Sequence, residues 1–204
     1  MEYIFLIAIL IFSVVIHEVS HGAVANYLGD PTAKYAGRLT LNPIRHLDPV
    51  GSVLVPLFLV LMGSPFLIGW AKPVPVNPYN FKDQKYGSAK VALAGPGSNL
   101  AVALIFGLTL RFFPEIAVTP GLVLIFSYIV FINILLAIFN LLPIPPLDGS
   151  HILFTFLPPE LEKLKIFLSQ FGIFILFFLF FFLFRYLSLI ISFIFKLIVG
   201  APFF

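Results

Sequence analysis

The sequence predicts an all-α polytopic membrane protein, a single bundle of about five to six transmembrane helices with a re-entrant hairpin near residues 50–78. Composition is the first reason: 60% of the 204 residues are hydrophobic and only 10% are charged, with a mean hydropathy of +1.09. A soluble domain carries roughly a quarter charged residues, so this balance belongs to lipid. The second reason is the spacing of long apolar runs along the chain. The third is a proline-rich interruption of the second run, which no straight span accommodates.

The elements follow in order. The first span covers about Tyr3 to Leu28, broken only by the polar cluster Ile16-His17-Glu18-Val19-Ser20-His21-Gly22. Its start, "MEYIFLIAIL", has no basic flank and no small-residue cleavage site, so it reads as a retained helix. A second run goes from Val50 to Leu67, a third from Val91 to Phe113 and a fourth from Leu122 to Leu142. A Phe-rich tract, Ile166 to Val199, is expected to break at Arg185-Tyr186 into one long span and a shorter piece. The whole chain, 1–204, reads as one domain with a core over 1–157 and C-terminal helices over 160–204. No internal repeat is visible, and nothing in the sequence fixes an oligomeric state.

The second run is too short to cross. It contains Pro56, Gly63-Ser64-Pro65 and Gly69 before "GWAKPVPVNPYNF", and a helix of some twelve residues reaches only about 18 Å against a hydrocarbon core of about 30 Å. Charge agrees. A full crossing would put Lys34, Arg38, Arg45 and Arg111 on one side, and Lys72, Lys82, Lys85, Lys90, Lys163 and Lys165 on the other. A hairpin leaves Arg111 alone opposite the rest, as the positive-inside rule prefers. The N-terminus is then outside, with residues 29–49 and 70–90 at the cytoplasmic face. Non-helical backbone at depth must line protein or a wet cavity, so the hairpin should border one. Trp70, Tyr79 and Tyr86 read as an interfacial aromatic belt. The net charge of +3 is too small and dispersed for nucleic acid.

The polar cluster carries the chemistry. Residues four apart share a helix face, so His17 and His21 can aim two imidazoles at one point. Glu18, rotated by about 100°, can reach a water on a metal without ligating it. This is H-E-x-x-H, the arrangement in which glutamate acts as general base of a zinc hydrolase. A chance match in this composition is on the order of a few per thousand, and ionisable groups inside a span are kept mainly for function or partners. The plainer alternative is two histidines that bond neighbouring helices.

With no cysteine in the chain, a third ligand must be His, Asp or Glu. Asp148 in "FNLLPIPPLDGSHIL" is the best candidate: Pro143, Pro145 and Pro146 prevent regular helix before it, and Gly149 gives freedom just after it. The competing role is an N-cap for the helix that follows, and different oxygens could serve both. His46, in a polar loop, reads as a surface or hydrogen-bonding residue. His151 reads as a helix-surface residue, with a supporting position behind Asp148 as the alternative.

"HEVSH" together with "NLLPIPPLDG" resembles the site-2 protease family of intramembrane zinc metalloproteases, whose patterns are H-E-x-x-H and N-x-x-P-x-P-x-x-D-G. "LNPIRHLDPVGS", "GWAKPVPVNP" and "ALAGPGSNL" are similar to its short prokaryotic branch, and no PDZ-like insert is recognisable. The resemblance covers about residues 10–155. It implies one Zn2+ per chain bound by His17, His21 and Asp148, with Glu18 as catalytic base. It implies further that Asn140 orients substrate or helps polarise its carbonyl, where the alternative is an interhelical hydrogen bond. Asn99 reads as structural, with Gly95, Pro96 and Gly97 marking close helix packing or a helix start. The expected partners are a transmembrane protein substrate and the bilayer of a prokaryotic inner membrane. The competing function is a membrane metal transporter or sensor using the same ligands.

Overall fold

The computed structural model describes residues 2–63, 69–113 and 119–203. Helix α1 (Glu2–Tyr27) has 26 residues, about 39 Å of helix. It stops at Gly29, whose φ of +108° is a left-handed turn that glycine adopts without strain. Pro31 follows, and then the four-residue α2 (Thr32–Tyr35). Asp30 fastens this turn: its carboxylate accepts from the Thr32 hydroxyl and amide, the Asn80 side chain at 2.8 Å and the Asn77 amide at 2.7 Å.

The second apolar run forms a hairpin. Asp48 caps a π-helical turn over Pro49–Leu54, accepting from the amides of Val50 and Gly51, and the seven-residue α3 (Val55–Leu61) continues it. The tip, residues 64–68, lies outside the described residues. The return arm is extended, as Pro73, Pro75 and Pro78 require. Leu47 pairs with Ala71 in an antiparallel bridge. The Trp70 amide donates to the Gly51 carbonyl at 3.2 Å and the Lys72 amide to the His46 carbonyl at 2.9 Å. The chain therefore returns to where it left, and the run does not cross the bundle. Gly51 permits the closure, since a β-carbon there would lie 2.2 Å from the Trp70 ring.

Helix α4 (Gly87–Phe112) is the central element, packed against α1 and against three later helices: α5 (Pro120–Asn140), α6 (Asp148–Phe156) and α7 (Glu162–Val199). Ala103 of α4, Val130 and Ile134 of α5, and Leu187, Ile191, Phe195 and Ile198 of α7 form its apolar core. Gly107 lets α7 approach, because a β-carbon there would meet Ile198 at 2.4 Å. Among the described residues, three helices are long and apolar enough to cross a membrane: Phe5–Tyr27, Gly87–Phe112 and Pro120–Asn140. The helical, apolar architecture makes this an integral membrane protein.

Two expectations are corrected. The C-terminal tract is one unbroken 38-residue helix through Arg185-Tyr186, about 57 Å long. A charge in an apolar helix raises solvation cost without disturbing the backbone, and no Gly or Pro occurs between Ile173 and Val199. Gly200, at φ +87°, ends it. The second correction concerns one of the two readings of Gly95-Pro96-Gly97: the segment lies inside α4 and does not begin a helix, which leaves close helix packing.

Candidate metal centre

His17 and His21 lie one turn apart on α1 with their rings edge to face and centroids 4.6 Å apart. The Nε2 atoms are 3.0 Å apart, and Oδ2 of Asp148 is 3.1 Å from the first and 3.2 Å from the second. Asp148 opens α6 directly after the proline turn, with Leu147 at the N-cap position, and no capping bond of the Asp148 side chain occurs among the described residues. The histidines take its carboxylate, not the helix end. Gly149 has a role other than expected. It is not one of the left-handed glycines; a β-carbon there would lie 2.2 Å from the Leu141 carbonyl oxygen. It is small so that α6 can start against the end of α5. Pro143 is exposed within this turn.

Both imidazoles are oriented from behind. His17 Nδ1 is 2.6 Å from Asn99 Oδ1, and His21 Nδ1 is 2.7 Å from the Val91 carbonyl. Asn99 presents its oxygen because its amide nitrogen donates to Asn133 Oδ1 at 2.8 Å and the Ser13 carbonyl at 3.3 Å. Asn133 in turn donates to the Ser13 hydroxyl and to the Ile129 carbonyl. Both asparagines are fully buried. Oxygen acceptors behind each ring favour the tautomer with its proton on Nδ1, which presents the Nε2 lone pair to a metal.

That arrangement is a test of fit for a metal. Three lone-pair atoms converge within 4.8 Å of one another, and Oδ2 of Asp148 is buried with no hydrogen-bond donor. With the ring protons on Nδ1 no hydrogen lies between these atoms, and a metal cation placed among them would relieve their repulsion. Zinc ligands at 2.0–2.1 Å in a tetrahedron stand about 3.3 Å apart, close to the spacing seen. Two nitrogens and one carboxylate oxygen, with a fourth position open, fit zinc. Gly95 makes the room, because a β-carbon there would sit 2.4 Å from His21 Nε2 and 2.6 Å from His17 Nε2.

A cavity of about 400 Å³ opens on this group, lined among others by His17, His21, Glu18, Asn140, Asp148 and His151. The return arm of the hairpin walls it with Pro73, Val74 and Val76. Glu18 accepts the Val74 amide on Oε2 at 2.7 Å. Asn140 donates to the Leu136 carbonyl of its own helix at 2.9 Å, and no interhelical bond from its side chain occurs among the described residues. His46 is 2% exposed and bonds through Nε2 to the Thr40 carbonyl, a buried hydrogen-bonding residue outside the metal group. His151 is exposed on the cavity wall.

Asn133 and the Val74 amide went unmarked in the sequence, Gly95 was marked for packing but not for the imidazoles it faces, and Asn99 had no specific partner. The spacing of Gly95 and Asn99, one turn apart on α4, was the available signal.

Comparison with known proteins bears on the same site. Residues 115–179, which include Asp148, match peptidase family M50. YwhC of Bacillus subtilis, provisionally named a zinc metalloprotease, is 42% identical over 179 residues, covering 85% of this chain and 78% of that protein. Rip2 of Mycolicibacterium smegmatis, named in the same way, is 32% identical over 175 residues, covering 85% of this chain and 65% of its own. An archaeal protein of Methanocaldococcus jannaschii with the same kind of name is 35% identical over 109 residues, half of each chain. No solved structure matches.

Proposed function

Because this chain belongs to peptidase family M50, the site-2 proteases, we propose that it is a zinc metalloprotease that hydrolyses a peptide bond in or near a transmembrane segment of a membrane-protein substrate. The observation that carries this is the convergence of His17, His21 and Asp148 on one point of a cavity that Glu18 also lines. His17, His21 and Asp148 would hold one zinc. When bound, zinc lowers the pKa of a water to about 7 and polarises the substrate carbonyl.

The chain's own residues do the rest. Asn99 and the Val91 carbonyl hold both imidazoles in the ligating tautomer. Glu18 takes the water's proton and returns it to the leaving amine. Val74 fixes Oε2 of that carboxylate, which leaves Oε1 to face the cavity. Asn140 spends one amide hydrogen on Leu136 and offers the other, or its oxygen, to substrate backbone. The extended arm over Pro73–Val76 and the proline turn before Asp148 leave the cavity open to an unwound substrate, as helical peptide bonds are shielded. The cationic segments 29–49 and 70–90 face the cytoplasm of a prokaryotic inner membrane, with the N-terminus outside. A transporter needs ligands strung along a path, and the described residues present one compact set.

The test labels new amino-termini on membrane proteins from cells expressing the wild type or Glu18→Gln. Junctions within transmembrane segments are expected with the wild type and absent with the variant, while the variant keeps one zinc. No such junctions, or the same junctions with Glu18→Gln, would rule out this mechanism.

A further inference from the structure

Arg38 is a buried cation that the chemistry above leaves unused. It is 6% exposed, and no carboxylate among the described residues pairs with it. Its Nη2 instead donates to two backbone carbonyls of the hairpin's return arm, Lys72 at 2.6 Å and Pro73 at 3.4 Å. The Pro73 carbonyl and the Val74 amide belong to one planar peptide unit. Arg38 therefore holds one edge of that unit while the opposite edge donates to Glu18 Oε2 at 2.7 Å.

The surrounding residues make this a rigid relay. Pro73 and Pro75 fix φ on both sides of Val74 and push their neighbours to extended backbone. They also remove their own amides, so Val74 is the donor this stretch presents at Glu18. The Lys72 amide is tied to the His46 carbonyl at 2.9 Å, and the Arg38 amide to the carbonyl of fully buried Ala33. Arginine offers several donors in a fixed fork and stays charged at any working pH, and a cation at a carbonyl strengthens the donor across the same peptide.

We propose that Arg38 is a positioning residue for Glu18, acting through the 73–74 peptide to fix the orientation of that carboxylate in the cavity. The inference rests on Glu18 serving as the base. Removing the grip frees the arm, and a carboxylate displaced by about 1 Å loses on the order of a hundredfold in rate.

Arg38→Met keeps the apolar stem and removes the donors. Arg38→Lys restores a donor, and both native contacts come from the single atom Nη2. The full-length proteins are compared on a peptide spanning one of the junctions found with the wild type. Zinc content and hydrogen exchange of the 71–77 segment, whose prolines leave only the amides of Ala71, Lys72, Val74, Val76 and Asn77, are measured alongside. Arg38→Met should lower kcat at least tenfold with KM within about twofold, keep one zinc, and speed exchange at Val74 at least tenfold. Arg38→Lys should recover kcat to within about threefold of wild type. Unchanged kcat in Arg38→Met overturns the proposal, as does a protected Val74 amide, or a loss of zinc that Arg38→Lys shares. If Glu18→Gln cleaves normally the protease mechanism fails separately, and the Val74 exchange rate alone then decides whether Arg38 holds the arm.

Discussion

Replacing Gly95 by alanine adds one methyl group at the most crowded point of the metal centre. The new carbon would lie 2.4 Å from His21 Nε2 and 2.6 Å from both Cε1 and Nε2 of His17. Non-bonded heavy atoms settle at about 3.5 Å, so the imidazoles must withdraw by roughly 1 Å. They are not free to do so. His21 is tied at Nδ1 to the Val91 carbonyl at 2.7 Å, and His17 to Asn99 at 2.6 Å. Metal sites tolerate about 0.2 Å in ligand distance, so a shift several times larger should weaken zinc at least a hundredfold, about 2.7 kcal/mol. Competition with a graded series of chelators, read by metal analysis of the detergent-purified protein, measures this. Gly97→Ala is the internal control: it lies in the same helix, and a β-carbon there meets nothing within 4 Å, so its zinc affinity should equal wild type. Wild-type zinc affinity in Gly95→Ala would show that the imidazoles do not meet at this point.

Three further outcomes are expected. Asn99→Leu leaves His17 Nδ1 without its acceptor and should weaken zinc by about 10–100-fold in the same competition, the usual loss when a residue orienting a metal ligand is removed. Asp30 concerns stability and pH. Burial pushes its carboxyl up, but the hydrogen bonds from Thr32, Asn80 and Asn77 outweigh this and hold it below the ordinary carboxylate value. A lowered folded value means the stabilisation is complete above the ordinary value of about 3.9 and lost as pH falls through the lowered one. The melting temperature of wild type should therefore drop relative to Asp30→Asn as pH is taken from 5 to 3, and parallel curves would contradict this. Asp30→Ala, which removes a buried carboxylate and its part-buried hydrogen bonds from Thr32, Asn77 and Asn80, should cost about 1–3 kcal/mol at neutral pH, measured by thermal or denaturant unfolding.

The parts of the site legible in the sequence are those whose residue types are expensive in lipid. His17, Glu18 and His21 stand out in an apolar span, and their spacing already specifies one helix face. Asp148 stands out because prolines cannot continue a helix and few other carboxylates were available. What stayed hidden depends on tertiary neighbours. A lone asparagine such as Asn133 announces that it needs a partner, but only packing of α4 on α5 names Asn99. Gly149 could be read locally only as conformational freedom, whereas its use is close approach; Gly95 could be read as a packing glycine, but not as the one that faces the imidazoles. The Val74 amide carries no side-chain signal at all. The hairpin followed from run length and proline content, because both act locally. Continuity of α7 through Arg185 was misjudged because a solvation penalty was read as a backbone break. The burial of His46 under the return arm required knowing that the arm folds back onto residues 46–51.

The most direct measurement is the zinc content of purified full-length protein, wild type against Asp148→Ala, after dialysis against a chelator that strips two-ligand sites. One zinc per chain in the wild type and less than about a tenth in the variant is the outcome the geometry requires. A variant that retains a full equivalent of tightly held zinc would mean that the carboxylate beyond the prolines is no ligand, and the three-residue centre described above would not stand.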